Sequence, residues 1–197
     1  MTRRGYLLLD LQGPQESLVE SVERALDAIR ERTGLLFVLT DTQTAGPDID
    51  VYIWGERLDQ ESSIVLTDDA AVPAVYLMLE TANEQAFETM LDALREKLPV
   101  IPLATLKQRA GEPGAPPPAL VRMALATGDE PDEEVVQVIT DGLGSQDPQR
   151  LDAAVMAAAL TRWEEFVPAL ERVRVGTTDE GIERMAAQAI RDCGGKA

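Results

Sequence analysis

Apolar positions in the first hundred residues follow two different periods. Short apolar runs at Tyr6–Leu11, Leu35–Leu39, Ile49–Trp54, Ser63–Leu66 and Val75–Leu79 have the length of strands, and Leu35–Leu39 reads as a buried one. Leu18, Val22, Ala25, Leu26 and Ile29 instead recur at helical spacing. Gly13-Pro14 is placed to open that helix, with Glu16 in its first turn, and Gly34 to close it. Phe87, Met90, Leu91, Leu94 and Leu98 share the face of a second helix, with Thr81 and Glu84 spaced as a capping box. Thr42–Asp48 is polar and reads as a loop. Val100–Leu103 is apolar enough for one more strand, followed by a helical turn over Ala104–Arg109.

The predicted order is β-α-β-β-β-β-α-β over residues 1–110. It implies an α/β sandwich, mostly antiparallel sheet with two helices on one face. In element order this resembles a ferredoxin-like plait with an inserted hairpin. Residues 111–118 (Gly111-Glu-Pro113-Gly114-Ala-Pro116-Pro117-Pro118) interrupt any helix or central strand and predict a linker. Residues 119–197 then carry helical periodicity alone, so the fold class is α+β with an all-α second part. Leu120–Ala126 starts it. Asp132 is placed to cap a second helix with Val135, Val138 and Ile139 inward, and Asp147-Pro148 is a cap and first-turn proline for a third. Trp163–Val173 and Asp179–Ile190 complete five helices.

Two stretches of this helical part echo each other 32 residues apart. Gly144, Asp147, Ala154 and Ala157 recur as Gly176, Asp179, Ala186 and Ala189, and Val135 with Val138 answers to Val167 with Leu170. A period of this size marks stacked helical pairs. The small residues let neighbouring helix axes approach closely. Asp147-Pro148 with Ala153, Ala154 and Ala157 resembles the first helix of short HEAT-like repeats of the phycobiliprotein-lyase type. Val167-Pro168-Ala169-Leu170 resembles the second helix, and Asp179, Ile182, Ala186, Ala189 and Ile190 resemble the first helix of the next copy. The resemblance covers about residues 119–193 and departs at Arg150-Leu151 and Glu183. It implies two and a half copies and a protein that binds other macromolecules.

Charge narrows the class of partner. The chain of 197 residues carries a formal net charge of −17, spread as −10 over residues 1–112 and −7 over 113–197. Such a field disfavours nucleic acid and anionic membranes and favours basic proteins. It also serves solubility alone. No signal peptide or membrane span is legible: Arg3-Arg4 precede only a short apolar run that Asp10 interrupts. The expected location is cytoplasmic, and the oligomeric state is left open.

The chain has no histidine and one cysteine, Cys193. This removes the usual general base, the commonest metal ligand, an intrachain disulfide and a cysteine zinc site. No cofactor and no catalytic motif are expected. The candidate binding residues are therefore acidic: Asp129, Glu130, Asp132, Glu133 and Glu134, five acids in six residues, with Glu164 and Glu165. An immunity protein that neutralises a basic nuclease toxin fits this charge, as does an adaptor for another basic protein. The run Asp129–Glu134 reads equally as a solvated helix start whose acids complement the dipole. Two alternatives stand beside it. Asp10, Asp41 and Asp68 follow apolar strand runs and, if gathered, would hold Mg²⁺ for phosphoryl transfer or hydrolysis. The protein would otherwise be a scaffold or regulatory subunit. Tyr52 and Trp54 face one way along their strand and Val51 and Ile53 the other. An exposed aromatic pair there would anchor an interface, and a buried one would belong to the core.

Overall fold

A computed structural model describes residues 2–10, 15–46, 48–58, 62–70, 74–128 and 130–194. The expected helix opening at Gly13-Pro14, the end of the first strand at Leu11, and Asp129 lie outside the described residues. The chain divides into two compact units, Met1–Ile101 and Pro102–Ala197.

The first unit contains β1 (Arg3–Leu9), α1 (Gln15–Thr33), β2 (Phe37–Gly46), β3 (Ile49–Glu56), β4 (Ser62–Asp69), β5 (Ala74–Thr81) and α2 (Glu84–Lys97). The strands form one sheet in the order β1-β5-β4-β3-β2, every neighbouring pair antiparallel. Short connections from β2 to β5 permit only antiparallel neighbours, so these four strands run as a meander. A plait would interleave its strands; here β1 instead takes one edge and closes on β5. Alternate residues point to one face, where Leu7, Leu9, Trp54, Ile64, Leu66, Leu77 and Leu79 pack beneath the two helices. Val22, Ala25, Leu26 and Ile29 of α1 and Phe87, Met90, Leu91 and Leu94 of α2 fill the same core, as the helical spacing predicts.

Four local expectations are corrected. The run Leu35–Leu39 is not a buried strand: β2 is the edge of the sheet, and Val38 and Leu39 are 40% and 46% exposed. The loop placed at Thr42–Asp48 is strand as far as Gly46, because its threonines favour extended backbone. The strand at Val100–Leu103 shrinks to one bridge between Val100 and Leu9, and Leu103 begins a helix. The cap of α2 is Asn83, whose Oδ1 accepts the Ala86 N–H at 3.0 Å. Thr81 still belongs to β5, where its hydroxyl bonds Ser62 at 2.7 Å and accepts the Asn83 N–H. Gly34 does close α1, in the left-handed region (φ +77°), with its N–H on the Arg30 carbonyl.

The second unit is all helical. It contains α3 (Leu103–Gly111), α4 (Pro118–Leu125), α5 (Glu133–Leu143), α6 (Pro148–Thr161), a 3₁₀ turn (Glu164–Phe166), α7 (Val167–Gly176) and α8 (Glu180–Asp192). Among the described residues six helices stand where five are expected, since Leu103–Gly111 packs against α4 and α5. Residues 111–118, read as a linker between domains, join α3 to α4 inside this unit. The helices pair as α3/α4, α5/α6 and α7/α8. Successive pairs stack, α4 on α6 on α8 and α3 on α5 on α7.

Asp132, Asp147 and Asp179 each cap a helix, accepting backbone N–H groups of its first turn. α6 lies between α4 and α8, and this explains its composition. Ala153, Ala154, Val155, Ala157 and Ala158 are all buried, facing more than one neighbour. A Cβ on Gly142 would lie 2.9 Å from the Ala154 Cβ and 3.0 Å from Leu120 Cδ1. Three successive helices meet at that point. Arg150 ties the first pair to the second through the Ala110 and Ala115 carbonyls, at 3.4 and 3.3 Å.

Candidate functional site

The predicted acids fall into two sets with different roles. Asp132 and Glu134 are structural. Lys107 of α3 donates to Asp132 at 2.9 and 3.1 Å and pairs with Glu134 at 2.7 Å. The ammonium is largely covered, and its pKa is raised by the bonds to Glu134 and then Asp132. The Lys107 bond in turn holds the Asp132 carboxyl below its ordinary range. These charges join α3 to the start of α5.

Glu130, Glu133, Glu164 and Glu165 are exposed, and none makes an ion pair among the described residues. Glu133 lies in the first turn of α5, Glu130 just before it, and Glu164 and Glu165 in the turn that leads into α7. Acids at these positions suit the positive ends of the helices. One hairpin separates α5 from α7, so the two starts share one edge of the stack. Beneath the second start, Trp163 and Phe166 are buried and stacked at 5.9 Å, holding the turn in place.

The opposite edge holds a feature that sequence reasoning missed. A groove of about 650 Å³ lies where the α5–α6 and α7–α8 turns meet, floored by Leu143, Leu151, Val173 and Ile182, with Thr140 and Arg172 at its sides. The only sequence signal for it is the recurrence of Gly144 and Gly176, which sit at those turns.

The carboxylates considered for Mg²⁺ are not gathered. Asp10 follows β1 at one edge of the sheet and Asp41 lies in β2 at the other, four strand spacings or about 19 Å apart. Asp68 lies in β4 opposite Asp50. No group of three or more acidic or cysteine side chains among the described residues is placed to hold a metal ion. Cys193 is buried, donates to the Ala158 carbonyl at 3.7 Å, and has its pKa pushed up to about 11 by that burial and then by Asp192. Such a thiol is a packing group.

Tyr52 and Trp54 do not form an exposed anchor. They stack at 6.3 Å on the helix-covered face, and Trp54 is 1% exposed. Arg3 and Arg4 pair with Glu88 and Glu80, each at 3.0 Å. No helix among the described residues is long and apolar enough to cross a membrane. Comparison with protein-family models, curated proteins and solved structures finds no match to this chain.

Proposed function

We propose that the protein is a cytoplasmic binding module whose acidic edge engages a basic protein, with an immunity protein that neutralises a basic toxin as the form that fits best. In this reading the stacked pairs act as a HEAT-like repeat, and no catalytic step is involved. The observation that carries it is the set of four exposed carboxylates, Glu130, Glu133, Glu164 and Glu165, at one edge of the stack and without ion pairs among the described residues. With a net charge of −17 behind them, they would speed encounter with a cationic surface and make binding salt-dependent.

Capture of partners from the source cell at low and high salt tests this, followed by titration of the recovered partner. The expected result is a basic partner released by salt, with binding weakened by Lys substitution at all four glutamates. A partner that is not basic, or binding indifferent to salt and to the four substitutions, refutes it.

A second reading is a scaffold in which acidity maintains solubility and order. Its support is Lys107, which commits Asp132 and Glu134 to holding helices together. A partner that binds with full affinity to the quadruple variant favours the scaffold.

A further inference from the structure

The two edges of the sheet are treated differently by the chain. Beside β1 runs the segment after α2: Asp10 donates to the Pro99 carbonyl at 2.8 Å, and Ile101 donates to the Leu8 carbonyl at 2.9 Å. β2, at the other edge, pairs among the described residues only with β3. It is ten residues long, Phe37 to Gly46, and Asp41 is its only ionisable side chain. Edge strands of monomeric proteins usually carry several charges or prolines.

The direction of each backbone group on β2 follows from the register. Arg57 donates to the Leu36 carbonyl, so Gly55, Ile53 and Val51 turn their backbone groups toward β2. Tyr52 turns toward β4. Thr42, which stands opposite Tyr52, therefore points its N–H away from the sheet. That N–H is already taken. Asp41 Oδ1 accepts it at 2.8 Å, while Oδ2 accepts from Gln43 Nε2 at 2.6 Å. Register shifts flank this stretch, between Leu39 and Asp41 and between Thr44 and Gly46.

The strand is also self-complementary about Thr42. If a second copy approached antiparallel on a twofold axis through that residue, Thr40 would face Thr44 and Asp41 would face Gln43. No like charges would oppose. Exposed Val38 and Leu39 would gain cover.

We infer that β2 is a self-pairing edge and that Asp41 is its guard: by occupying the Thr42 N–H, the carboxylate keeps the sheet from continuing into a second copy of this chain. Asp41 is thus a positioning residue for assembly rather than a metal ligand.

The test is sedimentation velocity of the full chain from micromolar to hundreds of micromolar concentration. Wild type is expected to remain largely monomeric. Asp41→Thr removes the carboxylate and keeps a strand-forming residue; its dimer is expected to be at least about tenfold tighter. Asp48→Asn removes a charge outside the strand and should leave the protein monomeric. Asp41→Thr/Leu39→Lys puts a charge back on the edge and should restore the monomer. Asp41→Ser, checked with the others by circular dichroism, serves if Asp41→Thr does not hold its fold. Amide exchange should show Thr42 and Thr44 newly protected in the dimer. The inference is overturned if the folded Asp41 variant stays as monomeric as wild type, if Asp48→Asn associates equally, or if Leu39→Lys leaves the dimer intact.

Discussion

Replacement of Gly142 by alanine sets two effects of opposite sign against each other. Removing a glycine from a helix is ordinarily worth up to about 1 kcal/mol. Here the new methyl would lie 2.9 Å from the Ala154 Cβ and 3.0 Å from Leu120 Cδ1, where ordinary contact begins near 3.4 Å. The Ala154 Cβ is fixed to the backbone and cannot swing aside. Leu120 is fully buried, so its side chain has no free volume to enter. Relief requires α5 to move away from both α4 and α6. Such overpacking costs roughly 1–3 kcal/mol.

The overpacking should win, with a net loss of about 1–2 kcal/mol, because Gly142 is one residue from the end of α5 and gains little propensity there. Urea unfolding in a Trp54→Phe background, where Trp163 alone reports, measures it in the helical unit. The midpoint should fall by about 1 M or slightly more. Gly176→Ala is the control: no atom lies within 4 Å of its added methyl, so stability should hold or rise slightly. Adding Ala154→Gly to Gly142→Ala should recover at least about 0.5 kcal/mol relative to the sum of the single effects. If Gly142→Ala is as stable as its parent, or matches the Gly176 variant, the three-helix contact does not exist as described.

Three further outcomes follow from the same geometry. Asp147→Ala and Asp179→Ala each remove a cap bonded to first-turn N–H groups and should each cost about 1 kcal/mol in urea unfolding. Lys107→Met should narrow the pH range of stability. The depressed Asp132 carboxyl contributes above its unfolded value near 3.8, and this is lost as pH falls through the folded value. The raised Lys107 ammonium contributes below 10.5, and this is lost as pH rises through its folded value. The stability gap between wild type and variant should therefore be flat in between and shrink at both extremes; a gap independent of pH would refute the clamp. Cys193, with its pKa near 11, should resist a thiol reagent at pH 8 in the native protein and react once urea unfolds it.

What the sequence disclosed was the local part of the fold. Periodicity identified both helix faces of the first unit, since Val22, Ile29, Met90 and Leu94 all reach its core. Cap chemistry marks Asp132 and Asp147, because a carboxylate just before a helical run can accept its first-turn N–H groups, and the echo 32 residues on places Asp179 in the same role. β2 departs from its sequence pattern for a nonlocal reason: Leu35–Leu39 is as apolar as a central strand, and only the sheet order makes it an edge. The helix at Leu103–Gly111 belongs with the helices beyond the proline run, because partners, not punctuation, decide membership of a unit. The acidic run was visible as charge, but Lys107, 25 residues before Asp132, gave no sign that it would claim two of those acids. The groove near Arg172 arises from two turns brought side by side, which no single stretch of sequence encodes.

The closing of β1 on β5 has a consequence for synthesis. β2, β3 and β4 each find a partner in the next strand to emerge, but β1 must wait until Ala74–Thr81 has left the ribosome. At roughly 5–20 residues per second that delay lasts several seconds. Throughout it, Tyr6-Leu7-Leu8-Leu9 lacks the strand it pairs with. Of the strands in this sheet, the first to be made waits for the last to be made.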